Sequence, residues 1–286
     1  MQSVANPRIS PDGKHVIYEQ TRTNWEANAF ETDLWIADTA TGARHRLTAA
    51  TKSSNSAAWS PDGQWIAFLS DRAALLPGSP AGKKQVYWMP ADGGEAQQLT
   101  KMEEGVNAFE WAPDSKHIAI TAESPETKAS KDRKESFGEY HVIHADYAMT
   151  HLWLVDLPST DAAGRTSAIG EPKLLTAGDS FTVGSFVFSP DGKRIAFDAQ
   201  RDPDLISGFS SDIYTVTVAD NTVKKIVATE SPDSDPQWSP DGSQIAYTTS
   251  NGSKFFYYTN RHIAVVPADG GTPTVLQPAS MKILIS

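Results

Sequence analysis

The chain has 286 residues, with 25 Lys and Arg against 35 Asp and Glu, a formal net charge of −10 and no cysteine. That length supports a large core in one domain or two. The charge argues against nucleic acid and membrane surfaces as partners. The lack of cysteine excludes disulfides, thiol catalysis and thiolate metal sites. No apolar run is long enough for a membrane-spanning helix. Met1–Asn6 lacks the basic and apolar segments of a secretory leader, so a cytoplasmic location is favoured. A periplasmic one requires that a leader was removed.

In chain order, Ser-Pro-Asp-Gly stands at Ser10–Gly13 and Ser60–Gly63, degenerates to Ala112–Ser115, and returns at Ser189–Gly192 and Ser239–Gly242. The turn aspartates Asp12, Asp62, Asp114, Asp191 and Asp241 are 50, 52, 77 and 50 residues apart. A period of this size marks a repeat architecture. Before each turn comes Ile9, Trp59, Trp111, Phe188 or Trp238, and after it Val16, Ile66, Ile118, Ile195 or Ile245. Pro presets the first corner of such a turn. Gly13, Gly63, Gly192 and Gly242 supply the positive φ at its end. Each copy therefore reads as a hairpin. A third strand follows (Asp33–Asp38, Gln85–Met89, His151–Asp156, Asp212–Val216, His262–Val266). A short fourth closes the unit, as in Arg44–Thr48.

One four-stranded sheet cannot cover both of its faces, whereas sheets stacked around an axis can. The chain is thus read as all-β: a β-propeller of four-stranded antiparallel blades, five repeats long, in a single domain over 1–286. The blades fall at about 7–48, 56–100, 106–176, 184–228 and 235–277. An incomplete ring leaves sheet faces bare at its ends. That predicts closure as a smaller ring or self-association through the end blades.

The pattern breaks at 123–150, an insert in the third blade. Its first part, Ser124–Glu135, is charged and has no hydrophobic period, so it reads as an exposed loop. Its second part, Phe137–Tyr147, regains β character. His141 and His144 fall here, and His151 just beyond it. Residues 141 and 144 of an extended strand face opposite ways, so no metal site is expected and no cofactor is implied. Arg22, Arg72 and Arg201 each stand ten residues after a turn Asp. A structural role is favoured for them over an electropositive ring that meets a peptide carboxylate.

Gly178-Asp-Ser-Phe-Thr182 and Gly208-Phe-Ser-Ser-Asp212 lack the closing Gly of a nucleophile elbow. Gly78–Lys84 fits a phosphate loop poorly. No catalytic residue is assigned.

The Trp-Ser-Pro-Asp-Gly-x-x-Ile-Ala-Phe pattern, with a downstream Asp-Leu-Trp-x-x-Asp and Leu-Thr, resembles two groups of propellers. One is the amino-terminal domain of prolyl-oligopeptidase-type serine peptidases, acylaminoacyl and dipeptidyl peptidases among them. The other is the periplasmic propeller of the Tol system. The opening Val4–Gly13 and the segment Tyr140–Asp156 look like the peptidase blades. Those peptidases carry about seven or eight blades and then an α/β-hydrolase domain, which this sequence does not include. The resemblance implies a non-catalytic propeller that gates access of short peptides to that domain, its partner. Under it, Glu139, Tyr140, His141, Asp146 and Tyr147 are candidate substrate contacts. A carboxylate such as Glu139 could hold a peptide α-amino group. The alternative is a Tol-type or free-standing propeller that binds a protein.

Overall fold

A computed structural model describes residues 2–49, 52–73, 75–125, 128–138, 147–158 and 169–276. Five four-stranded antiparallel meanders account for nearly all of its regular structure. Blade 1 is β1 (Gln2–Ile9), β2 (His15–Asn24), β3 (Ala29–Asp38) and β4 (Arg44–Arg46). Blade 2 is β5 (Ser54–Trp59), β6 (Trp65–Ser70), β7 (Gln85–Pro90) and β8 (Gln97–Gln98). Blade 3 is β9 (Ala108–Trp111), β10 (His117–Glu123), β11 (Thr150–Asp156) and β12 (Lys173–Leu174). Blade 4 is β13 (Thr182–Phe188), β14 (Arg194–Gln200), β15 (Asp212–Thr217) and β16 (Val223–Val227). Blade 5 is β17 (Asp233–Trp238), β18 (Gln244–Thr249), β19 (His262–Pro267) and β20 (Thr274–Leu276).

The chain divides into two compact units. Residues 1–125 with 152–174 form the first, and 126–151 with 175–286 the second. Blades 1 to 3 lie in the first unit, apart from the opening residues of β11. Blades 4 and 5 lie in the second. The first strands of blades 1, 2, 4 and 5 begin earlier than the sequence reading had them, because an irregularity of the ladder lengthens each one. Register shifts occur between Ala5 and Arg8, Asn55 and Ala58, Val183 and Phe186, and Ser234 and Gln237.

The repeated turn is built by its own side chains. Ser10 Oγ donates to Asp12 Oδ1 (2.6 Å) and accepts from His15 N (2.9 Å), while Asp12 Oδ1 accepts from Lys14 N (3.0 Å). The Ser-to-Asp bond recurs at 2.6, 2.7 and 2.6 Å in blades 2, 4 and 5. Gly63 holds φ 73°, and a Cβ there would meet Pro11 at 3.6 Å, so neighbouring turns nest. These bonds, the serine hydroxyl first, hold the carboxyls of Asp12, Asp191 and Asp241 below the ordinary range, to about 2 for Asp241. In blade 3, Ala112 removes the hydroxyl. Asp114 accepts instead from Lys116 N (2.8 Å) and pairs with His117 Nδ1 (2.7 Å).

Alternation along the second strand decides how blades stack. Within a unit, residues four and six after the turn Asp face the preceding blade, and residues five and seven the following one. Ile66 and Phe68 of blade 2 thus share a core cluster with Ile17 of blade 1. Ile118 and Ile120 of blade 3 share one with Ala67 and Leu69 of blade 2. Ile245 and Tyr247 of blade 5 meet Ala196 of blade 4. The small residue on one face makes room for the large one arriving from the next sheet. Phe68 and Phe197 are fully buried, each stabilising by about 1.5–3 kcal/mol relative to exposure.

A four-strand meander returns the chain to the end at which it entered. Strand one starts, strand four finishes, and strands two and three are linked at that connector end; the Pro-Asp-Gly turns lie at the opposite end.

Candidate functional site at the connector end

In blades 1 and 2 the connector end is closed by the Thr of the Leu-Thr signature. Thr48 Oγ1 accepts from Leu34 N and Thr100 Oγ1 from Val86 N, both at 2.9 Å. A side chain of strand three completes the latch in blades 1, 2 and 4. Asp33 takes Arg46 at 2.7 Å, Gln85 accepts from Thr100 Oγ1 at 2.8 Å, and Asp212 takes Lys225 at 2.7 Å. In blade 3 that residue is His151. It is buried, with Nε2 donating to Gly178 O (3.0 Å) and Nδ1 accepting from Thr176 Oγ1 (3.3 Å). Burial lowers its pKa and keeps the ring neutral. His151 is therefore a latch residue. Among the described residues no three His, Asp or Glu side chains converge to hold a metal.

The three repeated arginines find partners close by in sequence. Arg22 donates to Glu31 Oε2 on the adjoining strand (2.8 Å). Arg72 donates to Ser54 Oγ (2.9 Å) and lies over the Phe68 and Tyr87 rings at 5.0 and 4.9 Å. Arg201 donates to Asp202 Oδ2 (3.1 Å) and Ser207 Oγ (3.1 Å).

The insert departs from the expected loop. Lys128–Phe137 forms an α-helix, α1. Its charged residues are good helix formers, and Lys128/Asp132 and Lys131/Glu135 sit one turn apart with opposite sign. The absence of an apolar stripe leaves the helix exposed rather than unformed. Of the candidate contacts, Glu139, Tyr140, His141 and Asp146 lie outside the described residues. Tyr147 is half-buried, and its hydroxyl donates to Asp204 Oδ2 at 3.0 Å. Desolvation, then the Asp204 carboxylate, pushes the phenol above its ordinary pKa.

Asp204 belongs to the connector of blade 4. It caps a 3-10 turn, Leu205–Ser210, by accepting from Ile206 N. Asp202, beside the Ser207 hydroxyl and Arg201, is held below the usual carboxylate range. The connector of blade 5 contains a second 3-10 turn, Phe256–Tyr258. The Phe209 ring stacks on Phe256 at 6.4 Å, and Phe256 meets Tyr257 at 4.1 Å. Leu205, Phe255, Tyr257 and Tyr258 are 94, 74, 79 and 91% exposed. One surface of the second unit thus carries a contiguous aromatic and aliphatic patch beside a Tyr–Asp pair. Such a patch suits contact with apolar groups of a peptide or another protein. The sequence reading did not single it out. The signal was the run Phe255-Phe-Tyr-Tyr258, four aromatics with no strand-like alternation.

Stacked four-stranded blades with unlike connectors define a propeller of the kind that carries binding surfaces on its loops. The chain belongs to the TolB β-propeller family: residues 2–146 match the family described as the TolB beta propeller domain. Residues 189–252 match the N-terminal region of dipeptidyl peptidase IV. An uncharacterized peptidase of Bacillus subtilis, YuxL, is 32% identical over 226 residues, covering 74% of this chain and 32% of that protein. An acylaminoacyl peptidase of Pyrococcus horikoshii superposes with TM-score 0.65 at 17% identity, over 98% of this chain and 40% of that one. A TolB-type protein of Agrobacterium tumefaciens gives 0.57 at 19% identity, over 96 and 81%. The chain therefore spans about a third of the curated relative's length.

Proposed function

We propose that these blades form the non-catalytic propeller of a prolyl-oligopeptidase-type serine peptidase and gate the access of short peptides to an α/β-hydrolase domain. The main support is the match of one stretch to a dipeptidyl peptidase N-terminal region, together with a peptidase relative more than twice as long. The insert supplies substrate contacts in this reading. Glu139 holds the peptide α-amino group, and Tyr140, His141, Asp146 and Tyr147 are the further candidate contacts. The hydrogen bond from Tyr147 to Asp204 supports a role for the end of the insert in ordering the blade 4 connector.

The test is kinetic. In a polypeptide carrying these blades with a hydrolase domain, Glu139→Gln should raise KM for free-amino peptides and leave N-blocked peptides unaffected. Equal KM values before and after the change refute the assignment of Glu139. If the blades occur with no hydrolase domain at all, the peptidase reading itself fails. The second reading, a TolB-type module that binds protein, is favoured by the 81% coverage of the Agrobacterium protein.

A further inference from the structure

At the turn end, one groove lies between blades 1 and 2 and another between blades 4 and 5, each inside its own unit. Their frames match. Trp59 Nε1 donates to Arg8 O (3.1 Å) and Trp238 Nε1 to Val187 O (3.2 Å), so each indole is tied to the preceding blade. A Cβ on Gly63 would meet Pro11 at 3.6 Å, and one on Gly242 would meet Pro190 at 3.7 Å. The turn after strand three has one sequence in both blades, Pro90-Ala-Asp-Gly-Gly94 and Pro267-Ala-Asp-Gly-Gly271. The same bonds hold it: Ala91 N to Gln64 O (2.8 Å) and Ala268 N to Ser243 O (2.9 Å), then Gly93 N to Pro90 O (3.1 Å) and Gly270 N to Pro267 O (2.8 Å).

What differs is the residue three positions after the first turn Asp. Between blades 4 and 5 it is Arg194. Its Nη1 donates to Asp269 Oδ1 (2.8 Å) and to Ala268 O (3.3 Å), and its guanidinium lies over the Trp238 ring, 4.8 Å from the centroid. A planar cation thus meets a carboxylate, a carbonyl and an aromatic face at once. With Arg194 in it, that groove measures about 270 Å³. Between blades 1 and 2 the same position holds His15, which lacks the length and the fork of an arginine. That groove measures about 490 Å³ and is lined by His15, Trp59, Ala91, Asp92 and the turn residues Asp12 and Asp62. Trp59, Ala91 and Asp92 are the counterparts of Trp238, Ala268 and Asp269. Among the described residues the Asp92 side chain has no hydrogen-bond or ion-pair partner.

We propose that the groove between blades 1 and 2 binds a guanidinium group supplied from outside the chain, in the place that Arg194 fills in the other unit. The Trp59 face takes the plane of the cation, Asp92 accepts a charge-assisted hydrogen bond, and the Ala91 carbonyl accepts a second. Asp12 and Asp62 add attraction, offset in part at Asp12 by Lys14 at 3.7 Å. The carboxylates alone would attract any cation. The repeat inside the chain selects among cations, because the equivalent aromatic, carbonyl and carboxylate already hold a guanidinium. A lysine ammonium is a compact, strongly hydrated charge and does not spread its donors in one plane. The site lies at the opposite end of the blades from the variable connectors, so it does not depend on the peptide-gating reading.

The test uses the 286-residue chain at low salt. Its readout is the Trp59 indole N–H signal in heteronuclear NMR, assigned with Trp59→Phe. N-acetyl-Gly-Arg-Gly-amide should shift that signal saturably and bind about fivefold or more tighter than the lysine counterpart. Methylguanidinium separates the two sources of the group. Binding as tight as the arginine peptide's assigns a small guanidino compound, and weaker binding assigns an arginine presented by a peptide or protein; either result supports the site. Asp92→Asn should weaken the arginine peptide about fivefold or more. His15→Arg, which supplies the guanidinium from within, should abolish its binding. The proposal is overturned if neither guanidinium compound shifts the Trp59 signal saturably. It is equally overturned if the lysine peptide binds as tightly as the arginine peptide, or if Asp92→Asn and His15→Arg leave the affinity unchanged.

Discussion

The two ends of the blades obey different rules. At the turn end, four of five copies repeat one hydrogen-bond set, with Ser-to-Asp distances between 2.6 and 2.7 Å. At the connector end, the latch is made by Asp33, Gln85, His151 or Asp212, and the links range from a tight turn after Asn24 to the insert with its helix. The turn end fixes the register of its own hairpin by local bonds and nests against the neighbouring turn. The connector end need only be closed, and different side chains close it equally well, so its loops are free to carry specificity.

The contrast can be tested at several strengths. The largest effect is expected from His151→Ala, which opens a cavity and removes the imidazole contacts to the Thr176 hydroxyl and the Gly178 carbonyl. A loss of about 2–4 kcal/mol is expected in urea unfolding. Because burial lowers the His151 pKa, the unfolded chain binds the proton more readily. Its contribution is therefore fully present above the unfolded pKa of about 6.5 and is lost as the pH falls below it. A melting midpoint that holds steady from pH 7 to pH 5 in the wild type would contradict a neutral, buried ring.

A smaller pair of effects should appear at the turns. Ser60→Ala removes a buried hydroxyl with two partners and should cost about 1–2 kcal/mol, whereas Ala112→Ser restores the missing one and should add about 0.5–1 kcal/mol. Equal shifts of the same sign would mean the turn bonds do not contribute as their geometry suggests. The smallest effect on stability, within about 0.5 kcal/mol, is expected from Leu205→Ser and Tyr258→Ser at the exposed patch. If that patch binds, these substitutions should weaken peptide or protein capture while the melting curve stays in place.

The turn end was legible because its information is local. Ser, Pro, Asp and Gly lie within four residues and bond to one another, so a tetrapeptide specifies the structure. Apolar residues on both faces of Trp65–Leu69 likewise fit a strand in a sheet packed between two others. What escaped was non-local or conformational. Nothing in the identity of Asn6, Ser56 or Asp235 declares a left-handed bulge, since the carboxylate that accepts the backbone N–H lies 37 residues earlier for both Ser56 and Asp235. Helix α1 escaped because charge was taken as a sign of irregularity, although Lys, Arg and Glu support an exposed helix. Tyr147 was picked out, but its partner Asp204 lies 57 residues away and could not be.

The four-strand meander also has a practical side. Each blade gives the polypeptide back where it took it in, so a fluorescent reporter spliced between β16 and β17 would emerge beside the variable loops. A chain anchored to a sensor chip through such a splice would present its row of aspartate-rich corners to the solution. The recognition loops would then crowd against the support, and an immobilised assay would under-report whatever they bind.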